Sequence, residues 1–197
     1  MTARQARPRR RGRTPSAKRT AKRPAVQTGR PRLGKRTHPL RIRSGTAGDA
    51  SAILAMIRGL AEFEALAHEV RATAVRIRRH GFGARRYFHV LIASRGRIVV
   101  GFALYFFAYS TFLAQPTLYL EDLFVWPGER SNGAGRALLR ALARVAVRRG
   151  CGRMDWLVLA HNAPAIRFYK GLGARLHEEW VPVRLGAAAL RRMARAR

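Results

Sequence analysis

Acids are scarce in this chain: ten Asp and Glu stand against forty Lys and Arg, a formal net charge of +30 over 197 residues. Cysteine is nearly absent. The lone Cys151 excludes an intramolecular disulfide and any metal site built on several thiolates. It fits a reducing compartment, and a cytoplasmic location is the default expectation. No apolar run approaches the roughly 18 residues that a membrane-spanning helix needs, so no membrane role is expected. The start of the chain also lacks the apolar stretch of a secretory signal. Lysine is rare as well, at four residues, so thirty-six of the basic residues are arginine. That bias suits an anionic partner, and it also suits a GC-rich coding sequence.

The shortage of acids is total in residues 1–40, which hold fourteen Lys/Arg, five prolines and no Asp or Glu. Low hydrophobicity and like charge cannot offset the entropy of ordering such a segment. Residues 1–38 are therefore expected to be a disordered basic arm, and residues 39–197 one domain. An arm of this kind suits nonspecific, salt-sensitive nucleic-acid contact. It lacks the interleaved aromatics of a single-strand stacking platform.

The domain reads as alternating elements. "LRIRSGT" starts a strand. Thr46 and Asp49 then have capping-box spacing, and Ile53, Leu54, Ile57, Leu60 and Ala61 repeat on one helical face. Glu64 continues that face, so its carboxylate either points inward at a site or meets water where the helix frays. "YFHVLIAS" and "RIVVGFALYFFAYS" read as a hairpin turning at Ser94–Arg97. "TLYLEDLFVW" is a further strand, and a helix from about Gly133 to Arg149 places Leu138, Leu139, Leu142, Val145 and Ala146 on one face. A strand at 154–160, a short helix in "NAPAIRFYKGLGA", a last strand near Trp180 to Leu185 and a basic helical tail complete the chain. This order, β-α-(loop or α)-β-β-β-α-β-α-β, predicts an α/β (α+β) fold. Its mixed, mostly antiparallel sheet is expected to hold a parallel central strand pair and to carry helices on both faces. The right-handed crossover rule makes the strands at 118–126 and 154–160 parallel.

Two features carry chemistry. The first is the turn Arg130-Ser131-Asn132-Gly133-Ala134-Gly135 between a strand and a helix, with Arg136 next. Its glycines admit a ligand close to the backbone, and the helix start offers free N–H groups to a diphosphate. An ordinary turn is the plain alternative. The spacing matches neither a Walker loop nor a dinucleotide fingerprint. The second feature is the adjacent pair Glu121 and Asp122. Neighbours on a regular strand point to opposite faces, so both can line one pocket only if a bulge intervenes. A carboxylate there could take the proton that an ammonium must lose before its nitrogen attacks. Arg136, Arg140, Arg144 and Arg148 form a stripe at four-residue spacing, where each pair repels by a few tenths of a kcal/mol. A solvated face is the simple reading of this stripe, and an anionic surface partner the other.

"YLEDLFV" before R-x-x-G-x-G, with "NAPAIRFYKGLGA" after the next strand, resembles the GNAT superfamily of acetyl-CoA-dependent N-acetyltransferases. The resemblance runs from about residue 40 to 194 and is closest to the diamine (spermidine/spermine) acetyltransferase branch. It implies acetyl-CoA as co-substrate, with its pyrophosphate on residues 130–136 and its pantetheine along Leu123, Phe124 and Val125. It further implies Asn162 as a pantetheine support, Tyr169 as the acid that protonates the departing thiolate, Glu121 as base, and Asp122 and Glu64 as contacts to the substrate ammonium. A small-molecule amine substrate, direct attack in a ternary complex, and a homodimer follow from the same resemblance. Read bottom-up, Tyr169 could equally be a packed core tyrosine, and Asn162 a helix N-cap. Phe63 stands where the polyamine enzymes carry tyrosine, and 70–86 is arginine-rich where they are acidic, which favours a shorter diamine or lysine-like amine as much as a polyamine. The rival reading is a nucleic-acid-associated protein, or a protein-amine acetyltransferase tethered by its arm.

Overall fold

The computed structural model describes residues 38–196. The basic arm expected over 1–38, and its disorder, lie outside the described residues apart from His38. Strand β1 (Leu40–Ser44) leads through a 3-10 turn into helix α1 (Ala50–Phe63), and α2 (Ala74–Phe82) follows. Strands β2 (His89–Arg95), β3 (Ile98–Ser110) and β4 (Gln115–Val125) come next, then α3 (Ala134–Arg148), β5 (Arg153–Trp156), α4 (Ala163–Lys170) and α5 (Ala187–Arg195). The sheet order is β1-β2-β3-β4-β5, antiparallel except for the parallel β4–β5 pair. The expected fold class and crossover are observed.

Two clusters sandwich the sheet. On one face α3 buries Leu138, Leu139, Leu142 and Ala146 against Leu91, Ala103, Leu118 and Leu120. Each leucine fully buried there contributes about 1.5–3 kcal/mol. On the other face α1 and α2 bury Ile53, Met56 and Ile77 against Ile92, Phe102 and Phe124. Gly59 lets α1 approach closely, since a Cβ at this position would come within 2.8 Å of the Trp126 ring. The expected cap at Thr46 is present: its N–H and Oγ1–H both donate to Asp49 Oδ2, at 2.7 and 2.9 Å. Arg43 grips the same carboxylate with both terminal nitrogens, and this holds the Asp49 carboxyl down at about 2.

Two expected strands differ from the observed ones. The strand expected at 154–160 ends at Trp156, and the one expected near Trp180–Leu185 does not form. A strand needs a partner, and among the described residues no element pairs with the outer edge of β5. The parallel pair therefore sits at the edge of the sheet and not at its centre. Trp180 is 73% exposed and Val183 94%.

Candidate active site

The bulge that two inward acids require is present. Leu104 of β3 pairs with Asp122 and Tyr105 pairs with Leu120, leaving Glu121 as the extra residue on β4. Side-chain alternation shows the consequence. Leu118 and Leu120 pack on the α3 face before the bulge, and Leu123 and Val125 pack there after it. The phase slips by one across 121–122, so both carboxylates leave on the α1 face, between Tyr119 and Phe124.

Glu64 reaches the same place from another element. Helix α1 ends at Phe63 and Glu64 is its C-cap, with its N–H donating to Leu60 O at 3.0 Å. The helix does stop short, yet the side chain is half-buried and close enough to act on both Asp122 and Tyr169. Burial raises the Glu64 carboxyl above its ordinary value. Asp122 is shifted furthest: burial first, then the charges of Glu121 and Glu64, push it up to about 7. Tyr169, half-buried against Trp156 at 5.2 Å between ring centroids, is raised by burial and then by Glu64. Its phenol is therefore neutral and able to donate at pH 7. The packed reading of Tyr169 is observed, its ring lying against Trp156 at the margin of the core.

Beside the acids the sheet opens. The β4–β5 pairing runs only over Thr117–Leu120 against Arg153–Trp156, and β4 continues alone to Val125. The Trp126 N–H donates across to Val100 O at 3.0 Å. By alternation, Leu123 and Val125 then turn their backbone groups away from β3, toward the side that β5 has vacated. Phe124 differs from the expectation that groups it with them. Its ring is buried on the α1 face, edge-on to Trp126 at 5.0 Å, and its backbone faces β3.

The glycine turn follows. Ser131 and Gly133 both have positive φ, +61° and +83°, and they curl the chain into the start of α3, whose first N–H groups have no partner within the helix. A Cβ at Gly133 would meet nothing within 4 Å, and one at Gly135 would meet only the Phe168 ring, at 3.7 Å. Gly135 needs no unusual φ, so its missing side chain leaves space that this chain does not fill. The residues present fit a diphosphate cradle: Ser131, Asn132, Gly133, Ala134 and Gly135 contribute backbone, and exposed Arg136 stands at the rim. Asn162 caps α4, its Oδ1 accepting from the Ala165 N–H at 3.2 Å, and its amide N–H groups remain as donors. The N-cap reading of Asn162 is thus observed.

The Arg130 side chain is engaged beside the turn. Its Nε donates to Val125 O at 3.1 Å, and its guanidinium lies 4.4 Å from the Phe63 ring centroid, on the α1 side. The residue bolts the open edge of β4 to the end of α1. Burial lowers its proton affinity.

Sequence reasoning missed the strut beneath the turn. Glu129 is only 4% exposed, and Arg95 Nε donates to its Oε2 at 3.0 Å. The same arginine donates to Asn132 O at 3.3 Å and to His38 O at 3.2 Å. Arg95 thereby ties the β2–β3 hairpin to the cradle. The one available signal was an acid placed immediately before the turn in so basic a chain.

Comparison with known proteins gives the family. Residues 55–174 match the model of the acetyltransferase (GNAT) family. The chain is 39% identical over 165 residues to the thialysine N-epsilon-acetyltransferase of Mus musculus, covering 78% of this chain and 96% of that one. It is 35% identical over 140 residues to the spermidine/spermine N(1)-acetyltransferase-like protein 1 of Homo sapiens, covering 68% of this chain and 20% of the relative. Among solved structures, an integron cassette protein from the mobile metagenome of V. cholerae superposes with a TM-score of 0.68 at 25% identity, covering 80% of this chain and 98% of its own. By the family model and by its relatives alike, the chain belongs to the GNAT acetyltransferase family.

Proposed function

We propose that the chain transfers an acetyl group from acetyl-CoA to the terminal amine of a small cationic molecule, a lysine-like amino acid or a short diamine, by direct attack in a ternary complex. The observation that carries this reading is the bulge at Glu121, which turns two carboxylates toward Glu64 beside the open edge of β4. Three acids converging in a chain of net charge +30 are explained by a cationic substrate. The similarity to thialysine and spermidine/spermine-type enzymes supports the same class.

Acetyl-CoA, when bound, supplies the thioester carbonyl. Ser131 to Gly135 would hold its diphosphate through backbone N–H groups, and Leu123, with the N–H of Val125, would pair with its extended arm. Asp122 accepts the ammonium proton, which frees the nitrogen lone pair. Its value of about 7 supports this role, because a general base works best near the operating pH. The sequence reading assigns the base to Glu121. The greater burial of Asp122 favours exchanging the two roles, with exposed Glu121 drawing in the cation and raising its neighbour's proton affinity. Glu64 contacts the ammonium, and Tyr169 donates its proton to the leaving sulfur.

We also propose a homodimer. The segment around Trp180–Leu185 is apolar and exposed, and the outer edge of β5 has no partner among the described residues. A second copy satisfies both.

The pH profile of turnover on one good amine tests the site. Asp122→Asn should lower kcat by about 10²–10⁴-fold near neutrality, with the deficit shrinking as pH rises and more amine arrives neutral. Glu121→Gln should mainly raise KM. A deficit in Asp122→Asn that is flat with pH, together with a pH-dependent one in Glu121→Gln, would return the base to Glu121.

A further inference from the structure

The arginine stripe on α3 does not sit in one environment. Arg136 and Arg140 face outward near the cradle. Arg144 and Arg148 instead line a groove of about 390 Å³ between the C-terminal half of α3 and β1, together with Arg149, Arg43 and the buried Tyr105. Cations at a helix C-terminus are favoured by the macrodipole, which alone could explain arginines there. Three observations go further. Arg149 is pinned in place, its guanidinium 5.6 Å from the Phe107 ring, which in turn packs edge-on against Tyr105 at 5.9 Å. Arg43, which also borders the groove, is itself committed to both oxygens of Asp49 and leaves that acid none for the cluster. Among the described residues no ion pair reaches Arg144, Arg148 or Arg149. The positive field penetrates to the floor of the groove. Burial raises the Tyr105 phenol, while Arg149 and Arg148 pull it back.

Three cations around one concavity, Arg144, Arg148 and Arg149, with Ser44 and Tyr105 in its lining, make a receptor for a compact multivalent anion. We infer that this groove is a second anion site, shaped for a di- or triphosphate group and separate from the coenzyme cradle at the opposite end of α3. A helix of this length puts the two sites roughly 15–20 Å apart. The shared chemistry could be presented by free polyphosphate or by a nucleotide. The site does not depend on which amine is acetylated.

The test uses the full chain with CoA added to saturation, so that the cradle is filled, and titrates inorganic tripolyphosphate and, separately, ATP by calorimetry. One saturable site is expected for at least one of the two, and the stronger of them identifies the source. Arg144→Ala/Arg148→Ala should weaken it by about tenfold or more, since two charge-assisted contacts are lost. The charge-matched pair Arg191→Ala/Arg192→Ala on α5 should stay within about twofold, because only screened long-range charge changes. Both doubles should acetylate a small amine as the parent does, which verifies their folds. No saturable heat with either anion, or equal weakening in the two doubles, overturns the assignment.

Discussion

On its α3 face, β4 lays down an apolar floor of Leu118, Leu120, Leu123 and Val125, whereas on its α1 face the same strand presents Glu121 and Asp122 between Tyr119 and Phe124. One inserted residue does both. It preserves the apolar phase on the side where α3 must pack, and it doubles the acids on the side where a cation must be received. Without the bulge, one carboxylate of the pair would be driven into the α3 core, at a cost that an unpaired buried charge cannot recover.

The two faces should fail in different ways. Gly135→Glu strikes the α3 side by setting a carboxylate in the space left for the diphosphate. Acetyl-CoA affinity should fall about a hundredfold or more, as like charges in contact cost several kcal/mol, while amine binding is untouched. Calorimetry with each ligand checks this, and equal affinity in parent and variant would move the cradle elsewhere.

Glu129→Ala removes the strut and strands the Arg95 guanidinium. Breaking a buried pair from one side typically costs about 3 kcal/mol, so denaturant unfolding should report a loss of that order, together with weaker acetyl-CoA binding. Normal stability would mean that water replaces the carboxylate without penalty.

The α1 side should show its strain as a pH dependence. Folded Asp122 takes up its proton at about 7, well above the ordinary 3.8, so between those values the folded chain binds a proton that the unfolded chain does not. Stability must therefore fall as pH rises through that window. Asp122→Asn should match the parent near pH 4 and exceed it by on the order of 4 kcal/mol at pH 8. Thermal melts at both values decide this. A variant less stable at pH 8 would show the carboxylate to be favourably paired.

The smallest effect belongs to Glu64→Gln. Loss of one half-buried ammonium contact should raise KM for a cationic amine by a few-fold, under about 1.4 kcal/mol, with kcat nearly unchanged. Steady-state kinetics at low salt would show it. A drop in kcat instead would implicate Glu64 in orienting Tyr169.

Local pattern was sufficient where one element's own periodicity sets its structure. The helical face of α3, the β2–β3 hairpin, the Thr46–Asp49 cap and the glycine turn are all legible in sequence because each is decided within about a dozen residues. The need for a bulge at Glu121 and Asp122 was legible too, since two adjacent acids cannot share a face on a regular strand. Its register against Leu104 and Tyr105 was not. Pairing across strands decides which residue is left over, and β3 lies more than ten residues away. Arg130 shows the same limit. Its spacing in the turn says nothing of Phe63, which arrives from α1, or of the Val125 carbonyl, and those two are its partners in the fold. Arg95 reaches Glu129 and Asn132 from β2, so no spacing in the chain marks it as their partner. Sequence alone determined the elements and the chemical inventory, because propensity, periodicity and charge are local. Tertiary structure decided which carboxylate is buried deeply enough to hold a proton near pH 7, because desolvation is exerted by whatever the rest of the chain packs around it.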